Sequence, residues 1–285
     1  MTRPIRVPAN RRPPVLRSDQ QLLTFADLEH WPAMTLRARS NLHARRIALA
    51  DGVIRSAGLG HYLAVTKRID RNLEIRALGR FGTAETQSIR QWQATLKQPS
   101  RCLPAPKNAK AYCHALGIAK SELRMSQLPQ LQPTHLRFAG WDRYARALWL
   151  TEKAALAWQR MRIAARHCGI ELQAISGFRS YAYQHVIFVR KRKRGQSLRE
   201  ILRVNTAPGF SEHHTGRALD IGCPDEPPAE ISFENTRAFE WLCTNARRFG
   251  FSLSYPKGNP FGIDYEPWHW CWHEAHADRP SEGFP

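Results

Sequence analysis

The sequence predicts an α+β fold, with helices and short strands alternating in its second half and a mostly helical region ahead of them. Two observations carry this. Leu150, Ala154, Trp158, Met161 and Ala165 make one helical stripe, and Gly169 is placed as its stop. Short apolar runs at about 171–176 and from Phe251 to Tyr255 read as strands. Between them, a helix over about 180–194 ends in Arg190-Lys-Arg-Lys-Arg194 before Gly195. That charge run is most simply a solvated helix end, where cations suit the C-terminal dipole; a glycan or phosphate contact is the secondary reading. Ser197-Leu-Arg-Glu200 has the form of a capping box for a short helix, and a further helix over about 234–248 stops at Gly250.

The front of the chain divides differently. Residues 1–20 are basic and proline-punctuated and read as a disordered tail. Residues 21–125 read as a basic, mostly helical region with no assigned role. Within it, Ala84 to Leu96 has an amphipathic period that puts Ile89, Trp92 and Leu96 on one face. With Phe81-Gly82 before it, this stretch faintly resembles the end of a helical peptidoglycan-binding repeat but lacks most of that motif, and a plain packing helix is the favoured reading. Pro99, Pro104 and Pro106 mark a linker-like segment.

The chemistry is concentrated further on. Ser211-Glu-His213-His-Thr-Gly216-Arg-Ala218-Leu-Asp220 is answered downstream by Glu266-Pro-Trp-His269. Two imidazoles and one carboxylate, with a fourth position left to water, are what a catalytic zinc requires. A nearby glutamate is what such a site requires to move protons. The reading is a zinc hydrolase. Asp220, among Ala218, Leu219 and Ile221, is expected on a strand, with Gly216 turning the chain sharply before it and His213 on the incoming loop. Pro267 argues for a bend that brings Glu266 and His269 side by side. His214 is the obvious rival ligand but points the other way if the segment is extended. His273 and His276 have helical spacing, which a solvent-facing tail explains better than a second metal pair.

The S-x-H-x-x-G-x-A-x-D and E-x-W-H pair resembles the VanY-type D-alanyl-D-alanine carboxypeptidases, zinc peptidases that trim the peptide stems of bacterial cell wall. Ile175-Ser-Gly-Phe-Arg179-Ser-Tyr181 with Gln184, Leu202 to Gly209, and Gly250 to Gly258 fit the same family in order and spacing. The resemblance covers roughly residues 130–275. It implies that residues 126–285 form the catalytic domain, with helices packed on a small antiparallel sheet that carries the zinc site, on a scaffold of the hedgehog and D-Ala-D-Ala peptidase type. It implies His213, Asp220 and His269 as zinc ligands and Glu266 as the general base that activates water and then protonates the departing amine. Arg179 then stabilises the oxyanion, while Ser211 and Gln184 lie near the substrate's terminal carboxylate. A net positive site favours a substrate ending in a free carboxylate. The implied activity is removal of a terminal D-alanine from peptidoglycan stem peptides or their precursors. The alternatives are L,D-carboxypeptidase or endopeptidase action on the same polymer, and a non-catalytic zinc-holding module that binds the wall.

Composition frames this reading. At 285 residues the chain suits one large domain or two small ones, and a hydrophobic fraction of 42% with 9 Trp and 12 Phe excludes wholesale disorder. A formal charge of +19 draws the protein to polyanions, of which anionic wall polymers are the natural candidate. With no nucleic-acid motif, no specific nucleic-acid partner is expected. The six cysteines (Cys102, Cys113, Cys168, Cys223, Cys243 and Cys271) form no C-x-x-C pair and argue mildly for a reducing compartment. Residues 1–20 hold no signal-peptide core, and no run of 18 or more apolar residues predicts a membrane span. As written, the expected address is cytoplasmic, although the resembled activity is usually extracytoplasmic.

Overall fold

The computed structural model describes residues 21–274 apart from positions 26, 39, 70–71, 80, 96–107, 120–121 and 124–127. The expected tail over 1–20, the linker prolines, Cys102 and His276 lie outside the described residues.

The chain begins with strands β1 (Gln21–Phe25) and β2 (Leu28–Pro32), helix α1 (Asn41–Ala48), then β3 (Gly52–Ser56), β4 (Tyr62–Ile69) and β5 (Asn72–Ala77). Helices α2 (Thr83–Thr95) and α3 (Asn108–Ala115) follow, and then the hairpin β6 (His135–Trp141) and β7 (Ala147–Leu150). The remainder runs α4 (Glu152–His167), β8 (Gln173–Ser176), α5 (Tyr181–Lys193), α6 (Leu198–Val204), β9 (Ala218–Gly222), α7 (Arg237–Asn245), β10 (Phe251–Leu253) and β11 (His269–Trp272). The α+β class therefore holds, but the mostly helical reading of 21–125 gives way to strands over 21–77. The physical reason lies in β3 and β4. Val53 and Val65 pack with Ile47 of α1, whereas Ile54 and Ala64 pack with Ile89 of α2. A sheet covered on both faces needs apolar residues at consecutive positions, which erases the period-two signal that marks a strand. The packing-helix reading of Ile89 is the one the structure supports.

Two antiparallel sheets result. The larger runs β5-β4-β3-β2-β1-β6-β7, so the N-terminal strands and the β6–β7 hairpin share one sheet through the β1–β6 pairing. The smaller runs β10-β11-β9-β8. Its core is formed with the buried stripe of α4 (Ala154, Trp158, Met161, Ala165), together with Leu219, Ile221, Leu242, Phe251 and Trp270. Local start and stop signals are used. Gly169 takes a positive φ after α4, Ser180 caps α5 by accepting the Tyr183 N–H, and Ser197 with Glu200 closes the capping box of α6. No helix among the described residues is long and apolar enough to cross a membrane.

The two sheets meet at Gly216. Its φ is 65°, its carbonyl accepts the Thr151 N–H at 2.8 Å, and an added Cβ would come within 2.5 Å of Leu136 Cδ2 on β6. Gly216→Ala is expected to cost about 1–3 kcal/mol of stability through combined backbone strain and overpacking. Urea denaturation reads the loss directly, and an unchanged midpoint would remove this role from Gly216.

Candidate metal centre

In the small sheet β9 and β11 are antiparallel neighbours, and His269 stands directly opposite Asp220. That register places both side chains on one face, at the spacing of a cross-strand pair. His213 arrives from outside the sheet, on a 3-10 turn over Glu212–Thr215 that Gly216 ends in the left-handed conformation before the chain enters β9. The three are buried, at 1%, 8% and 2% exposure for His213, Asp220 and His269. His213 Nε2 lies 3.2 Å and His269 Nδ1 lies 3.1 Å from the same atom, Asp220 Oδ1. Among the described residues this is the one group of His, Cys, Asp or Glu side chains with metal-binding spacing.

The outward nitrogens show how the inward ones are prepared. His213 Nδ1 donates to the Gly177 carbonyl at 2.7 Å, and His269 Nε2 donates to Glu212 Oε2 at 2.9 Å. With those protons committed, each ring in its neutral form turns a lone pair toward the carboxylate oxygen, an arrangement of three acceptors that a cation at their centre satisfies. Two imidazoles and a carboxylate, with second-layer acceptors behind the imidazoles, fit zinc. Burial pushes His213 down to about 4, with Arg179 adding to the effect, so it stays neutral. Burial raises Asp220, but His213, His269 and Arg179 outweigh it and hold the carboxyl well below the usual range. Burial also disfavours charge on His269, yet Asp220 and Glu212 outweigh it and push that group up to about 10 when protons alone are present. A divalent cation supplies the same positive charge at the same place.

Glu266 sits beside this triad. Pro267 forms the expected bend, across which the His269 N–H donates to the Glu266 carbonyl at 3.1 Å. Glu266 Oε2 is 3.9 Å from His269 Nδ1. Burial, reinforced by Asp220, pushes its carboxyl up to about 7 against the pull of His269 and Arg179. Arg179 lies just before α5, with its backbone N–H on the His213 carbonyl at 3.2 Å and Nη2 3.7 Å from Asp220 Oδ2. The structure thus gathers His213, Asp220, His269, Glu266 and Arg179 into one cluster.

The remaining candidates fall elsewhere. Gln184 and Ser211 are buried, and neither side chain makes a polar contact with the triad. Gln184 Nε2 donates to the Thr206 carbonyl at 2.8 Å, and its Oε1 meets no donor among the described residues. His214 faces away, as expected, although from a 3-10 turn rather than an extended segment. Its Nδ1 donates to the Arg179 carbonyl and its Nε2 accepts the Gly209 N–H, so it fixes the Arg179 turn. His273 follows β11, and its supposed partner His276 lies outside the described residues. Sequence reasoning passed over Glu212, whose signal was an acid directly before a candidate ligand histidine. It passed over the Gly177 carbonyl, for which no side-chain signal exists. It also took Lys191 as part of a solvated helix end, whereas this lysine lies close enough to Arg179 and Glu266 to feel both charges.

Part of the chain is similar to known proteins. Residues 147–275 match the family model of VanY, D-alanyl-D-alanine carboxypeptidase. The YodJ protein of Bacillus subtilis (strain 168) is 37% identical over 125 residues, which cover 42% of this chain and 45% of that protein. This chain therefore spans under half the length of that relative. The bifunctional D-Ala-D-Ala dipeptidase and carboxypeptidase VanXYC of Enterococcus gallinarum is 28% identical over 145 residues, covering 48% of this chain and 73% of that one. Among solved structures, the LdcB LD-carboxypeptidase aligns with a TM-score of 0.48 at 28% identity, over 61% of this chain and 82% of that one.

Two substitutions separate the layers of the site. Asp220→Asn is expected to abolish stoichiometric zinc binding. Glu212→Gln is expected to keep the stoichiometry but weaken zinc by roughly 10–100-fold, the usual effect of removing a partner behind a ligating histidine. Competition titration against a chromogenic chelator reads both. Wild-type affinity in Glu212→Gln would show that the carboxylate does not support His269.

Proposed function

We propose that this chain, which carries a VanY-type D-alanyl-D-alanine carboxypeptidase domain at residues 147–275, is a zinc-dependent carboxypeptidase that removes a terminal D-alanine from peptidoglycan stem peptides or their precursors. The observation that carries the reading is Glu266: a largely enclosed carboxyl 3.9 Å from an imidazole of the donor triad and outside that triad, with burial pushing it up. A binding module has no use for such a group, and a hydrolase requires one.

His213 Nε2, Asp220 Oδ1 and His269 Nδ1 would hold the zinc. When bound, zinc supplies Lewis-acid chemistry that polarises the scissile carbonyl and makes water acidic enough to attack at neutral pH. Glu266 accepts the proton that water gives up as its oxygen bonds to the carbonyl carbon. It then returns that proton to the amine nitrogen as the C–N bond breaks, so one water is consumed and no other reactant enters. Arg179, permanently charged and held beside Asp220, stabilises the negative charge that develops on the carbonyl oxygen. His214 and Ser180 hold the turn from which it reaches. Ser211 and Gln184, both buried and without polar contact to the triad, are given no contact with the substrate carboxylate. The formal charge of +19 serves to concentrate the enzyme on anionic wall polymers, with no specific role for nucleic acid.

Mass spectrometry of muramyl pentapeptide and tetrapeptide incubated with the protein, with and without a chelator, tests the proposal. Chelator-sensitive loss of one alanine from the pentapeptide alone is the expected result. Loss from the tetrapeptide alone would assign L,D specificity to the same site, and no loss from either with zinc bound would overturn the catalytic reading. Glu266→Gln is expected to lower turnover by at least about 100-fold, the scale of a lost general base, while keeping full zinc content.

A further inference from the structure

Beside the metal centre lies a second feature that the hydrolytic machinery does not use. A cavity of about 420 Å³ opens between the N-terminal part of the large sheet and the catalytic region. One wall comes from the first sixty residues of the chain, among them Trp31, Arg37 and Arg55. The other comes from Trp141, Tyr144 and the segment from Ser176 to Ser180, with Tyr183 and Arg190 of α5. Arg179 belongs to this lining, and its Nη2 lies 3.7 Å from Asp220 Oδ2, so one residue is shared between the cavity and the metal centre.

The wall is built, not incidental. Glu29 is buried, pairs with Arg55 at 2.9 Å and accepts the Trp31 indole N–H at 2.7 Å, while the Arg55 guanidinium lies 4.2 Å over the Trp31 ring. The β3–β4 turn rests on the start of α5: the Ala57 carbonyl accepts the Ser180 hydroxyl, and Gly58 approaches Ala182 closely enough that a Cβ would meet its methyl at 3.4 Å.

Charge decides what the cavity suits. Its carboxylates are Glu29 and Asp142, and both are taken, by Arg55 and by Arg146. Among the described residues no carboxylate pairs with Arg37 or Arg190, which are both exposed. Trp141, about half exposed, adds flat apolar surface, and Tyr144 carries the Arg146 guanidinium 4.7 Å over its ring. Unmatched guanidiniums beside aromatic faces recognise carboxylates carried on a chain with planar peptide groups. Size agrees: a carboxypeptidase places a single residue beyond the scissile bond, far too small a group for 420 Å³.

We propose that this cavity is a subsite for the acyl-side arm of the substrate, a peptide bearing free carboxylates, with Arg37 and Arg190 as its specificity-determining contacts. The proposal rests on the peptidase reading for the identity of the ligand as substrate. It assigns the N-terminal strands a part in substrate choice, and it gives one member of the Arg190–Arg194 run a ligand.

Binding tests it without turnover. Two hexapeptides ending in D-Ala-D-Ala, one with glutamates upstream and one with glutamines in their place, are titrated by calorimetry into zinc-loaded Glu266→Gln protein. The glutamate peptide is expected to bind about tenfold more tightly, the worth of one good charge pairing. Adding Arg37→Glu and Arg190→Glu, at two exposed positions, is expected to remove that preference. Equal affinities of the two peptides for the parent protein would overturn the proposal with no recourse to the variant. So would a preference that survives both charge reversals in a protein that still unfolds cooperatively. Because the wild-type turnover assay is not the readout, failure of the peptidase reading and failure of this subsite are separate results.

Discussion

Three electron-pair donors aimed at one point govern this structure. His213 Nε2 and His269 Nδ1 both stand just over 3 Å from Asp220 Oδ1, and each ring has its other nitrogen committed to an acceptor behind it. Such an arrangement is unfavourable unless a positive charge occupies its centre. Everything around the triad serves to hold it. The β9–β11 register sets Asp220 and His269 opposite each other, Gly216 turns His213 onto them, and the Gly177 carbonyl and Glu212 accept from the outward ring nitrogens. Arg179 and Glu266 stand beside the triad, with Arg179 Nη2 3.7 Å from Asp220 Oδ2 and Glu266 Oε2 3.9 Å from His269 Nδ1.

The site was legible in the sequence because its chemistry is written in side chains at short, fixed spacings. The seven-residue step from His213 to Asp220, with Gly216 and Ala218 between, reads directly as turn then strand, and the bend at Pro267 reads as the reason Glu266 and His269 converge. What escaped is what spacing does not encode. The Gly177 carbonyl has no side chain to announce it, and Glu212 looked like one more surface acid until the β11 strand brought His269 against it. Lys191 was hidden in a basic run whose other members are mostly exposed.

The N-terminal strands were illegible for a different reason. Helices on both faces of the large sheet require Val53 and Ile54, or Ala64 and Val65, to be apolar in succession, and a short apolar run of that kind also suits a buried helix. The long-range partner that resolves the ambiguity, the pairing of β1 with β6, joins positions more than a hundred residues apart. By contrast, the elements from α4 onward carry their own punctuation at Gly169, Ser180, Ser197 and Gly250, and there expectation and structure coincide within a few residues. Local signals were read correctly, and tertiary ones were not present to be read.

X-ray absorption at the zinc edge of the reconstituted protein tests the central claim most directly. The account predicts one zinc per chain with two imidazole nitrogens and otherwise oxygen donors in the first shell, and loss of one imidazole contribution in His269→Ala. A sulfur donor in that shell, or a spectrum unchanged by His269→Ala, would contradict it, because the metal would then lie somewhere other than between His213, Asp220 and His269.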